Sequence, residues 1–317
     1  MGESAKIETY KQSAAISFFA YVKSLVMLLR VAHWAKNLFL FIPLFFAGKL
    51  FDLEKLSDTA WGFAAFSLVA SGIYILNDYK DLEKDRLHPV KRHRSLASGK
   101  VSVPVAFFLM FACLVSGLML GWLCGSKFFL VLAAYLILNV SYSFGLKNIS
   151  IVDILIIAVG FVFRIKGGGI LSQVGISQWL MIMVFLLSLF LALAKRRDDV
   201  MVKLITDQDT RVSMSGYNVD FLNASIAVVS AVMIMAYVMY TMSPEVIWHM
   251  GTYRLYYTTI FVLAGFMRYL QLIYIRKDTR SPARVLYKDH FIQICIVLWI
   301  VSFYLLIYLK YIQFQKS

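Results

Sequence analysis

Apolar residues run along this chain in long blocks, and the polar residues gather in the gaps between them. A transmembrane helix takes roughly 20 mostly apolar residues. By that rule nine spans are predicted, over residues 22–47, 58–77, 103–123, 127–145, 150–171, 177–194, 218–240, 253–275 and 290–312. The first is long, carries Arg30, His33, Lys36 and Asn37, and is expected to break near Pro43. Only helices are proposed, because a segment in lipid must satisfy its own backbone polar groups.

The polar gaps carry a charge pattern. Lys80, Lys84, Arg86, Lys91, Arg92, Arg94 and Lys100 follow the second span. Lys195, Arg196, Arg197, Lys203 and Arg211 follow the sixth, and Arg276, Lys277, Arg280, Arg284 and Lys288 the eighth. The alternate gaps hold only Lys49 and Lys55, Lys127, none, and Arg254. The positive-inside rule then puts the basic gaps and the N-terminus in the cytoplasm. This leads to an expected all-α polytopic protein. Residues 1–21 form a cytoplasmic segment, and 22–317 a single membrane domain with polar motif loops at 78–102 and 195–217.

Composition agrees. Of 317 residues, 60% are hydrophobic and only 16% charged, and mean hydropathy is +0.72. A soluble domain is about 45–50% apolar. The net charge of +14 is assigned to membrane-facing loops and a phosphorylated substrate rather than to nucleic acid, since basic groups embedded among spans form no duplex-sized face. No secretory signal or myristoylation motif is read at the N-terminus. Cys113, Cys124 and Cys295 lie in apolar segments without metal-ligand or disulfide spacing.

The strongest chemical signal is NDYKDLEKDR at residues 77–86, where the second span leaves the membrane. On a continuous helix Asp78, Asp81 and Asp85 lie within about 60° of one another. Carboxylates so close repel, and Mg²⁺ suits them, because it takes hard oxygen ligands and fills its shell with water and substrate phosphates. Asp78, Asp81 and Asp85 are therefore the expected metal ligands, with Asn77 beside them. The alternative is a solvated helix end laced with Lys80, Lys84 and Arg86.

Basic residues follow at once, among them Lys91 and Arg94, which suit phosphate oxygens as well as a topology anchor. A second polar stretch runs from Lys195, Arg196, Arg197, Asp198 and Asp199 through Asp207, Asp209 and Arg211 to Tyr217 and Asp220. There a carboxylate could hold another metal or water against the same diphosphate. The bland reading is an anchor followed by a loop. Tyr142 and Lys147, at the end of the fourth span, serve either as interfacial residues or as a phosphate grip. Charges inside spans are costly and usually face a cavity. Arg164 and Lys166 are such candidates, as is Asp153, while Lys36 and Arg268 could instead reach an interface. Gly167, Gly168 and Gly169 are expected to break the helix or admit a ligand.

Taken together, these motifs resemble the UbiA superfamily of intramembrane prenyltransferases, and within it the phosphoribosyltransferase branch. The pieces that carry the resemblance are RVAHWAKN at 30–37, residues 77–99, 142–147 and 164–169, and LAKRRDD at 193–199. Val31, His33, Ser95 and Asp199 depart from that branch's usual Pro, Gln, Pro and Glu. The resemblance implies nine helices around a lipid-open polar chamber in an inner-type membrane. It implies Mg²⁺ and transfer of 5-phosphoribose from phosphoribosyl diphosphate to a polyprenyl phosphate, for a lipid-linked pentose donor. Asp78, Asp81, Asp85, Asn77, Lys147, Lys195 and Arg196 would act on the diphosphate. Lys36, Asn37, Lys91, Arg94, Tyr142, Arg164, Lys166 and Asp199 would bind substrate. A prenyltransferase with a small acceptor is the alternative, a transporter the more distant one, and a homo-oligomer stays open.

Overall fold

In a computed structural model of the chain, the described residues are 19–206, 216–275, 285 and 288–314. Among them the regular structure is entirely helical. Six helices are long and apolar enough to cross a membrane, or seven if the bent pair Phe19–Leu29 and Val31–Phe46 is one span. The chain is an integral membrane protein. Among the described residues the expected count of nine is not confirmed by length and composition. The eighth segment is helical, a 3-10 stretch at Arg254–Thr258 that runs on into Thr259–Tyr274.

We number the helices α1 (Phe19–Leu29), α2 (Ile42–Phe46), α3 (Leu53–Lys80), α4 (Leu82–Leu87), α5 (Val103–Leu123), α6 (Ser126–Ser143), α7 (Val152–Leu171), α8 (Gln178–Thr206), α9 (Val219–Met242), α10 (Pro244–Met250), α11 (Thr259–Tyr274) and α12 (His290–Phe314). The first span breaks at Arg30, which has φ +52, and bends there by 41°. A 3-10 segment, Val31–Phe41, follows. The expected break at Pro43 is not where the bend falls. Pro43 lies in the first turn of α2, where its missing N–H has no intrahelical partner to lose.

The chain divides into two compact units, residues 1–39 with 58–143, and 40–57 with 144–317. In the first unit, α3 is the protein-facing helix, with 61% of its apolar window buried against 17% for α5. Phe108, Phe111, Val115, Met119 and Trp122 lie exposed along α5, at spacings that make one lipid-facing stripe. Small residues let these helices approach. A Cβ on Gly117 would come within 2.8 Å of Val69, and one on Gly121 within 2.6 Å of Leu132. Polar groups tie the 3-10 segment to α3. Trp34 Nε1 donates to Ser71 Oγ at 3.0 Å, Asn37 Nδ2 to Ser67 Oγ at 2.9 Å, and Ser71 Oγ to the Leu29 carbonyl at 2.8 Å. In an apolar setting such satisfied polar groups fix register, because an unsatisfied one costs several kcal/mol.

The second unit is built on α7, α8, α9 and α11. Its core includes Leu186, Phe190, Leu193, Leu222, Ile226, Tyr269 and Leu272. The glycine run at 167–169 does not break α7, which continues to Leu171. Its purpose is close packing: a Cβ on Gly168 would lie 2.0 Å from the Leu40 carbonyl oxygen, and one on Gly169 2.3 Å from Ile176. The second motif is not a loop at its start either. Helix α8 runs on to Thr206, so 195–206 are helical. Asp207, Asp209 and Arg211, with Arg276, Lys277, Arg280 and Arg284, lie outside the described residues.

Candidate active site

The first charged cluster lies in the first unit, where α3 ends. Asp78 closes the buried face of α3, Asp81 forms the joint with α4, and Asp85 sits on α4. The helical hydrogen bonding nearly carries through, from Asp81 N to the Asn77 carbonyl at 3.0 Å and from Asp85 N to the Asp81 carbonyl at 2.8 Å. Asp78 and Asp85 are 5% and 3% exposed, whereas Asp81 and Asn77 are half-buried.

Two buried carboxylates require cations. Arg94 Nη1 donates to Asp85 Oδ2 at 2.6 Å and to Asp78 Oδ1 at 3.1 Å. Arg30, at the bend of the first span, pairs with the same Asp78 oxygen and lies over the Tyr74 ring with its carbon 5.0 Å from the centroid. The turn carrying Arg94 is set by His88, whose Nδ1 accepts from the Val90 and Lys91 amides at 3.2 and 3.3 Å. Burial, then the charge of Lys91, lowers the His88 pKa, which suits an unprotonated acceptor. Ser95 Oγ donates to the Ser24 carbonyl at 2.8 Å and anchors the far side.

Among the described residues no three Asp, Glu, His or Cys side chains converge as a metal group. The pair Asp78 and Asp85 nonetheless suits Mg²⁺, which is commonly bound by one or two carboxylates with waters and phosphates. One guanidinium nitrogen already touches both carboxylates, so Asp78 and Asp85 are close enough in the fold that they would be the residues to hold such an ion.

The second cluster lies in the second unit, on the polar C-terminal part of α8 and the elements packed against it. Lys195 is exposed and pairs with Asp199 at 3.0 Å. Arg196, expected to touch the diphosphate, is instead 3% exposed. Its Nε donates to Asp153 Oδ2 at 2.6 Å and its Nη1 to Asp199 Oδ2 at 2.9 Å. Arg197 is buried too. It joins α8 to α9 through Asn223 Oδ1 at 2.7 Å, and to α11 through the Ile273 carbonyl at 3.2 Å. Tyr217 Oη donates to Asp153 Oδ1 at 2.6 Å and accepts from the Ile151 amide at 2.6 Å. Burial first, and then the bond to Asp153, raise the Tyr217 pKa, so its proton stays.

The remaining expected residues fall as follows. Asn37 is buried on Ser67, and Lys36 is exposed. Lys91, Tyr142 and Lys147 are half-buried, and Lys166 is exposed. Arg164 is buried, donates to the Gly160 carbonyl at 2.8 Å and lies over Phe161. In the sequence Arg30 and Tyr217 stand only as members of a span and of a polar stretch, and Asp153 only as a charge inside a span. A lone carboxylate in an apolar helix demands a cation, and that is the signal Asp153 offers.

The chain is thus a helical membrane protein with two clusters of buried carboxylates and arginines at helix ends. The chain belongs to the UbiA prenyltransferase family, a family of transferases, whose model matches residues 37–295. It is 31% identical, over 71% of its length and 72% of the relative's, to decaprenyl-phosphate phosphoribosyltransferase of Mycolicibacterium smegmatis. It is 37% identical over 60% of its length to the uncharacterized protein y4nM of Sinorhizobium fredii, and there the match spans only 37% of the relative's length. Its fold matches that of a UbiA homolog from Archaeoglobus fulgidus bound to DMAPP and Mg²⁺, with TM-score 0.67 at 19% identity, covering 89% of this chain and 98% of that one.

Proposed function

We propose that this protein is a Mg²⁺-dependent membrane transferase that moves 5-phosphoribose from phosphoribosyl diphosphate to a polyprenyl phosphate and releases diphosphate. The observation that carries the proposal is the Asp78–Arg94–Asp85 arrangement, with Arg30, at the end of a membrane helix. The likeness to a phosphoribosyltransferase over some 71% of the chain supports the choice of sugar donor.

In the reaction a phosphate oxygen of the lipid attacks the anomeric carbon. The bond from that carbon to the phosphate oxygen forms as its bond to diphosphate breaks, and the electron pair leaves with diphosphate. The transition state has oxocarbenium character. The attacking phosphate is already ionised, so no general base is needed. Asp78, Asp81 and Asp85 would hold Mg²⁺, which when bound would offset charge on the leaving group. Arg30, Arg94 and Lys91 offer donors to phosphate oxygens, and Lys195 and Lys147 receive the donor's anionic portion, with Asp199 assigned to substrate binding through its pair with Lys195. Lys36, Asn37, Tyr142, Arg164 and Lys166 are assigned to substrate contacts. A donor and acceptor with three phosphate-bearing groups suit this density of cations better than one prenyl diphosphate does.

The basic gaps and the N-terminus are assigned to the cytoplasmic face of a bacterial-type inner membrane, and the product to a lipid-linked pentose donor for envelope glycans. Purified protein incubated with labelled phosphoribosyl diphosphate, polyprenyl phosphate and Mg²⁺ should yield a labelled lipid. A product formed only from a prenyl diphosphate and an aromatic acid would replace this reading with prenyl transfer.

A further inference from the structure

We propose that Asp153 and Tyr217 form a buried clamp that positions the Lys195–Asp199 pair through Arg196. The inference rests on the reading above that this pair meets the substrate's diphosphate. It assigns positioning roles to three residues that themselves touch no substrate.

The chain of contacts runs from the interior outward. Asp153 is fully buried, and both of its oxygens are engaged, one by Arg196 and one by Tyr217, each at 2.6 Å. Arg196, 4% exposed at its side chain, reaches Asp199 Oδ2 with a second nitrogen at 2.9 Å. The other Asp199 oxygen holds Lys195 at 3.0 Å. Side-chain exposure rises along this path from 0% at Asp153 to 23% at Asp199 and 53% at Lys195. A buried carboxylate left unpaired costs several kcal/mol, so Arg196 stays on Asp153. A guanidinium held at both ends cannot rotate, and Asp199 inherits its direction.

The interior end is itself secured. The Tyr217 hydroxyl accepts from the amide of Ile151, a β-branched residue at φ +71, a conformation such residues rarely adopt. Beside it, a Cβ on Gly216 would lie 2.2 Å from Ser150 Oγ, so only glycine admits this close approach. Both features bring Tyr217 to the start of α7, where Asp153 lies.

The test uses the full chain in detergent and inorganic diphosphate with Mg²⁺, a probe common to phosphoribosyl and prenyl donors. Isothermal titration compares wild type with Asp153→Asn, Tyr217→Phe, Lys195→Ala and the Asp153→Asn/Lys195→Ala double variant, and thermal unfolding is recorded for each. Asp153→Asn should weaken diphosphate binding by about tenfold, the scale on which supporting-shell changes act. Tyr217→Phe should weaken it less, and Asp153→Asn should add nothing once Lys195 is removed. Wild-type diphosphate affinity in both single variants, with only the melting temperature lowered, would make the clamp purely structural and overturn the proposal. So would a wild type that binds no diphosphate. Should Asp153→Asn fail to fold, Tyr217→Phe decides alone, since it leaves the Asp153–Arg196 pair intact. If wild type binds diphosphate and the clamp variants lose it, yet no phosphoribose is transferred, the clamp stands and the assigned donor falls.

Discussion

Arg94 donates to Asp85 at 2.6 Å across nine positions of sequence, and the same nitrogen reaches Asp78. A positive side chain thus holds together the two carboxylates proposed to share a divalent ion. Replacing Arg94 by Gln should destabilise the protein by about 1.5–3 kcal/mol, the usual worth of hydrogen bonds to charged groups. The partial exposure of Arg94 puts the loss near the lower end. Added Mg²⁺ should raise the melting temperature of Arg94→Gln more than that of wild type, because the ion takes over the bridging. An equal shift in both would argue against a shared ion.

Substituting Asn for Asp78 or Asp85 removes a charge while keeping shape. Each variant should remain folded in detergent and lose phosphoribosyl transfer. Alanine at Asp81 is expected to act likewise. Full activity in all three would rule out the metal assignment.

The His88 turn gives a pH dependence. Its folded pKa lies below the ordinary 6.5, so the unfolded chain binds the proton more readily. The stabilisation is present above pH 6.5 and is lost as pH falls from there through the folded value. The stability gap between wild type and His88→Ala, measured by thermal unfolding, should therefore shrink from pH 7.5 to pH 5.5. A gap that stays constant would show that the imidazole does not accept from the Val90 and Lys91 amides.

Gly168 faces the Leu40 carbonyl, and a methyl group there would meet it at 2.0 Å. Gly168→Ala should cost at least about 1–3 kcal/mol by overpacking, seen as a lower melting temperature and poorer yield. An unaltered melting temperature would mean that the two backbones are not in contact.

Ile151 sits at φ +71 with its side chain 49% exposed. Ile151→Gly relieves a strain of about 1–3 kcal/mol and loses little packing. It should raise stability while the Tyr217 bond, which uses the backbone amide, persists. Lower stability would place the strain elsewhere.

Helical membrane architecture was legible in the sequence because burial in lipid demands long apolar runs, and all nine expected segments contain helix. The count of spans was less legible, since the bent pair Phe19–Leu29 and Val31–Phe46 reads as one span or as two helices. The break at Arg30 rather than Pro43 was also hidden. A positive φ at a non-glycine residue is set by the bonds the neighbouring turn makes, not by local propensity.

The sequence by itself determined the class of molecule and the inventory of chemistry: apolar spans, the aspartates at 78, 81 and 85, and arginines close behind them. These are local properties, readable from spacing and composition. Tertiary structure alone decided the partners. Arg30 meets Asp78 across 48 positions, Asp153 meets Arg196 across 43, and Tyr217 meets Asp153 across 64. The physical reason is that a buried charge is satisfied by whichever opposite charge the packing of helices brings within reach. That depends on the whole fold, so no short window of sequence records it.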